Sequence, residues 1–82
     1  MASVTVTGQV GLLSTSLVEA WIGNAGTADH SWLDHAVINS QGASFHCSQI
    51  SPDTGSGNGS FVITVILNVR ITGALNINWV WN

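Results

Sequence analysis

The sequence predicts an all-β fold, a small antiparallel β-sandwich or jelly-roll-like domain of six to seven short strands. Three observations lead there. Apolar and polar residues alternate with period two in most segments. Those segments are short and are bounded by Gly, Asn or Ser turns. No apolar stripe of period 3.6 runs longer than two turns. At 82 residues the chain is read as one β domain over 1–82, because a second core would not fit.

Taken in order, SVTVTGQV (3–10) places Val4, Val6 and Val10 on one face and Thr5, Thr7 and Gln9 on the other. LVEAWI (17–22) is apolar on both faces, as expected of a strand covered on both sides or lying at an interface. HAVINS (35–40) and ASFHCSQI (43–50) read as a hairpin closed at Gln41-Gly42, where glycine supplies the positive φ of a tight turn. FVITVILNVRI (61–71) carries an unbroken apolar face of Phe61, Ile63, Val65, Leu67, Val69 and Ile71. Thr72-Gly73 then turns the chain into ALNINWVWN, where Leu75, Ile77, Trp79 and Trp81 share a face. Between strands, SPDTGSGNGS (51–60) reads as a flexible Gly/Ser loop at 53–60. It is not a phosphate-cradling loop, since no lysine follows and it enters a strand rather than a helix. Asn58-Gly59-Ser60 matches a glycosylation acceptor pattern, with no signal peptide to give it meaning.

Composition narrows the function. Hydrophobic residues make up 45% of the chain and charged residues 6%, against a usual charged share of about 25%. There is no lysine, and Arg70 is the only strong cation. A net charge of −3 with one arginine does not neutralise several phosphates, so nucleic acid is not an expected partner. No run approaches the ~18 apolar residues of a membrane-spanning helix, and MASVTVTGQV has neither the basic region nor the apolar stretch of a signal peptide. The lone Cys47 makes no intrachain disulfide and reads as a small apolar side chain. A domain this short buries only about 60–65% of its unfolded surface, so its excess apolar surface is expected to close a homo-oligomer, a trimer or another cyclic ring. The expected interface residues are Trp21, Trp79 and Trp81. A Glu19–Arg70 pair, within or between subunits, would fix the register, since an acid inside an apolar strand needs a partner.

The segment TADHSWLDHA (27–36) gathers two of the three histidines and two of the four acids. As a metal site it would draw on His30, Asp34 and either His35 or His46. But His30 and His35, five apart, lie ~140° from one another around a helix and on opposite faces of a strand. A metal is therefore not expected within one chain, and a metal-stabilised oligomer joined at a symmetry axis is the remaining form. As a sugar site the segment would use Trp32 with Asp29, His30 and Asp34. Catalysis has no support: there is no strained nucleophile elbow, and the carboxylate pairs Asp29/Asp34 and Glu19/Asp53 fit no pattern. The plainest expectation is a polar connection capped by Thr27 or Asp29, with Trp32 and Leu33 folded inward and His30, Asp34 and His35 in water. No catalytic residue and no cofactor is expected.

V-E-A-W-I at 18–22, T-A-D-H at 27–30, Asp34-His35-Ala36, and R-I-T-G followed by W-V-W together resemble small uncharacterised proteins encoded among the structural genes of tailed bacteriophages and prophages. The likeness covers about half the chain. Where such proteins tend to read G-T-G-F before the long strand, this chain has Thr54-Gly55-Ser56-Gly57-Asn58-Gly59-Ser60-Phe61. The resemblance implies a head-decoration, tail or fibre-associated protein of the virion, placed in the virion or in the host cytoplasm during assembly. Capsid or tail proteins are the implied partners, and the resemblance brings no enzymatic residues with it.

Overall fold

The long apolar strand of the sequence is the centre of the fold. In the computed structural model, which describes residues 1–23 and 25–82, five strands and one helix run in the order β1 Ala2–Gln9, β2 Val18–Ile22, α1 Trp32–Ser40, β3 Ala43–Ser51, β4 Gly59–Leu67 and β5 Ile77–Trp81. β4 is paired on both edges, antiparallel to β1 and to β3, while β2 and β5 form a separate two-stranded antiparallel sheet. The described chain is therefore mostly β, with five strands rather than the expected six or seven. β4 stops at Leu67, short of the expected Ile71, because pairing ends there: β1 is paired as far as Val65 and β3 as far as Leu67.

Opposed pairs share a face, so the register puts Val6 with Phe61 and Val4 and Cys47 with Ile63 on the inner face. His46 pairs with Thr64 on the outer face, where the Ser3 and Thr64 hydroxyls also meet at 2.9 Å. Both outer strands bulge where they pass the start of β4. One extra residue lies between Val6 and Gln9 in β1, with Gly8 at φ 73, and one between Ser48 and Ser51 in β3, with Gln49 at φ 53. An extra residue reverses the in–out alternation beyond it. Gln9, expected outside with Thr5 and Thr7, turns inward, where its Oε1 accepts a 2.9 Å hydrogen bond from Trp81 Nε1–H. Val10, expected on the apolar face, is 75% exposed.

The second departure is the helix. HAVINS was expected to be a strand; the structure makes it the body of α1. Ser31 caps the helix in extended backbone, its Oγ accepting from Asp34 N–H at 3.1 Å, and Asp34 stands in the first turn, where a carboxylate suits the helix dipole. His35 and Ile38, three apart, are the buried pair. The chain leaves through Gly42 at φ 103, whose N–H donates to Asn39 O. The β-branched Val37 and Ile38 favour a strand locally, and the cap together with burial of one helical face outweighs them.

The core is small. Leu12, Phe61 and Ile63 are fully enclosed, and Val6, Val18, Ala20, Phe45, Cys47, Ile50, Ile77 and Trp81 pack around them, so both sheets contribute. Trp79 meets Phe61 edge to face, with ring centroids 5.4 Å apart. No helix among the described residues is long and apolar enough to cross a membrane.

Candidate functional site

The 27–35 segment folds into a clasp on the chain that leads into β5. The Thr27 hydroxyl accepts from Asp29 N–H and His30 N–H and donates to Ala74 O at 2.8 Å, so Thr27 is the expected turn cap. The Asp29 carboxylate accepts from Ala74 N–H at 2.8 Å. Thr72 O accepts only, so His30 carries a proton on Nε2, 2.6 Å away; Nδ1 lies 3.5 Å from the Asp34 carboxylate. His35 is 1% exposed and bridges two backbone groups. Its Nδ1–H donates to Ser31 O at 2.8 Å, and its Nε2 accepts from Asn76 N–H at 2.9 Å, which fixes the neutral tautomer. Gly73, at φ 90, lies so close that an added Cβ would stand 2.8 Å from that of Asp29.

This reverses the expected arrangement of the segment. His35, expected in water, is among the most enclosed side chains; Trp32, expected inside, is 64% exposed, and Leu33 is exposed beside it. The rings of His30 and His35 are 6.4 Å apart in a T arrangement. Three of their four nitrogens, however, serve backbone carbonyls and an amide, and the fourth faces the Asp34 carboxylate, with no hydroxyl or thiol among their partners. Among the described residues no three His, Cys, Asp or Glu side chains gather into a metal-holding group, and His46 stands apart on the outer face of β3. Of the sugar-contact candidates, Asp29 and His30 are engaged by the 72–74 backbone, which leaves Trp32 and Asp34 facing solvent.

The residues expected at an interface fall into two groups. Trp81 packs into the chain's own core, while Trp21 and Trp79 present surface. Glu19 and Arg70 are both exposed. They form no ion pair with each other within the described residues. The Cys47 thiol is pushed up by partial burial and then by the Glu19 carboxylate, so it stays protonated and a poor nucleophile near neutral pH.

The Gly/Ser loop closes on Asp53. Its carboxylate accepts N–H bonds from Gly11 at 2.8 Å, from Gly55 and Gly57 at 2.9 Å, and from Asn58 at 3.3 Å. The bond from Gly11 acts most strongly, and together they hold its pKa down at about 2. A carboxyl whose folded pKa lies below its unfolded value of about 3.9 lends stability that is present above the unfolded pKa and lost as pH falls through the folded one. Between pH ~4 and ~2 the native chain will lose melting temperature faster than Asp53→Asn, and parallel slopes in calorimetric scans across that window would refute the assignment.

A cleft of about 910 Å³, lined mostly by apolar side chains, opens beyond the core. One wall is the uncovered end of the three-stranded sheet, with Val4, Val65 and Leu67; the other is the strand-free 68–76 segment, with Val69, Ile71 and Leu75, and Arg70 stands on the lining. The sequence marked these residues as strand face, and the half-burial of Val65, Leu67, Val69, Ile71 and Leu75 accompanies the end of β4 at Leu67. Comparison with protein-family models, curated proteins and solved structures finds no match to this chain.

Proposed function

We propose that this chain is a non-enzymatic structural protein that works by assembling with copies of itself. The observation that carries the reading is how little the chain covers of itself. It exposes 5231 Å², whereas a folded monomer of 8.6 kDa exposes roughly 4700 Å². Its radius of gyration is 13.8 Å with extents of 39 × 21 × 19 Å, against ~12 Å for a compact chain of this length. Leu13, Leu17, Trp32, Leu33, Val37 and Val80 are all more than half exposed. The two sheets are read as an incomplete sandwich whose missing cover is another subunit, in a trimer or another closed ring.

The resemblance to proteins from tailed-phage structural genes gives this assembly a place, as a head-decoration, tail or fibre-associated component in the virion or, before incorporation, in the host cytoplasm. There its mechanism is burial of area across subunit and particle contacts, which raises the cost of local opening. The loop reading as a sugar site rests on Trp32 and Asp34; a metal-joined oligomer would use the exposed His46 at a symmetry axis or withdraw His30 or His35 from the clasp.

Native mass spectrometry of the untagged protein, with and without EDTA, tests the proposal. The expected result is one discrete oligomer in both samples. A monomer throughout overturns it, and an oligomer that dissociates with loss of metal mass transfers the role to the histidines.

A further inference from the structure

Resting on the assembly reading, we infer that the apolar cleft between the three-stranded sheet and the 68–76 segment receives the exposed face of helix α1 from a second copy of the chain. The helix offers a face that its own chain leaves bare. Trp32, Leu33 and Val37 are 64%, 55% and 51% exposed, and with Ala36 they cover ~140° of the helix surface, facing away from the buried His35 and Ile38. A short helix laying an apolar face into a groove, with anchors spaced as Leu33 and Val37 are, is a recurrent mode of recognition. Nine helical residues span ~14 Å and such a helix is ~10 Å wide with its side chains, dimensions suited to an open cleft of about 910 Å³.

Charge selects the same occupant. In a chain with one arginine and no lysine, a self-contact that pairs a strong cation with an acid must use Arg70. Arg70 lies on the cleft and has no ion-pair partner among the described residues. Asp34 flanks the bare helical face between Leu33 and His35, with 56% of its side chain exposed. Helix and cleft are different surfaces, so the contact builds a ring where its repeated rotation closes, or a two-fold dimer where each helix enters the other's cleft.

The test uses single substitutions read by native mass spectrometry over a dilution series. Val37→Asp changes a half-exposed position outside the clasp, so the fold should survive, as far-UV circular dichroism will report. It is expected to raise the dissociation concentration by at least about tenfold, and Val10→Asp, at another exposed position, to leave it unchanged. Arg70→Glu and Asp34→Arg should each weaken the oligomer, and the double variant should restore it. As a second readout, a Val4→Cys/Cys47→Ser chain mixed with a Val37→Cys/Cys47→Ser chain should form a disulfide-linked heterodimer on mild oxidation. An oligomer untouched by Val37→Asp, with no such cross-link, overturns this interface while leaving assembly intact. A wild-type monomer overturns both, and a monomer whose tryptophan fluorescence responds saturably to laurate, with the response lost in Trp79→Phe, would make the cleft an amphiphile site instead.

Discussion

Replacing His35 by leucine will destabilise the fold by about 2 kcal/mol. Leucine keeps most of the volume, so the loss is polar. Asn76 N–H loses its acceptor, while Ser31 O loses one of two donors and keeps the N–H of residue 35 at 3.1 Å; a buried backbone group left without a partner costs roughly 1–3 kcal/mol. Both groups also hold something in place. Ser31 is the cap of α1, and Asn76 immediately precedes β5, so the change loosens the junction between the helix and the last strand. For a domain of this size the change corresponds to a fall of roughly 8–16 °C in melting temperature. His35→Gln, which keeps a donor and an acceptor, should recover part of it, while His46→Leu, on the outer face, should stay within ~0.5 kcal/mol. A His35→Leu chain melting within a degree or two of wild type would show that the clasp carries no weight.

How far this arrangement could be read in advance depended on whether the determining atoms belong to side chains. The apolar face of 61–67 and the shared face of Trp79 and Trp81 follow from period two, and the structure keeps both. Thr27 announced its turn through a hydroxyl and did cap it. The partners of Asp29, His30 and His35, by contrast, are backbone groups of Thr72, Ala74 and Asn76, which leave no residue signature. Two signals were present in the sequence. Ser31-Trp32-Leu33-Asp34 has the S-x-x-D form of a helix start, but nine helical residues are too few for a 3.6-residue stripe to stand out against Val37 and Ile38. Gly8 inside an alternating strand is the mark of a bulge, and that bulge carries Gln9 to the face where it meets Trp81. The burial of His35 follows from the helix, since on a strand its ring would have shared a face with Val37 and Asn39.

The second large effect is expected at Phe61. Truncation to alanine removes one of three fully enclosed core side chains and the ring against which Trp79 rests, at a cost of about 4 kcal/mol. The whole fold of an 82-residue chain is worth only ~4–12 kcal/mol. The residues packed around it come from both sheets, so filling the gap would mean moving one sheet against the other. The two-stranded sheet should therefore detach, with the Trp emission shifting to the red of wild type at temperatures where wild type is intact. If a second subunit supplies the missing cover, the variant's melting temperature should climb as its concentration is raised, since association stabilises the folded state by mass action. A Phe61→Ala chain that melts cooperatively near the wild-type temperature would mean that the core does not hold the sheets together. One that melts low and independently of concentration would mean that the chain's stability is its own, and that the bare faces of the cleft and of α1 do not stabilise one another across subunits.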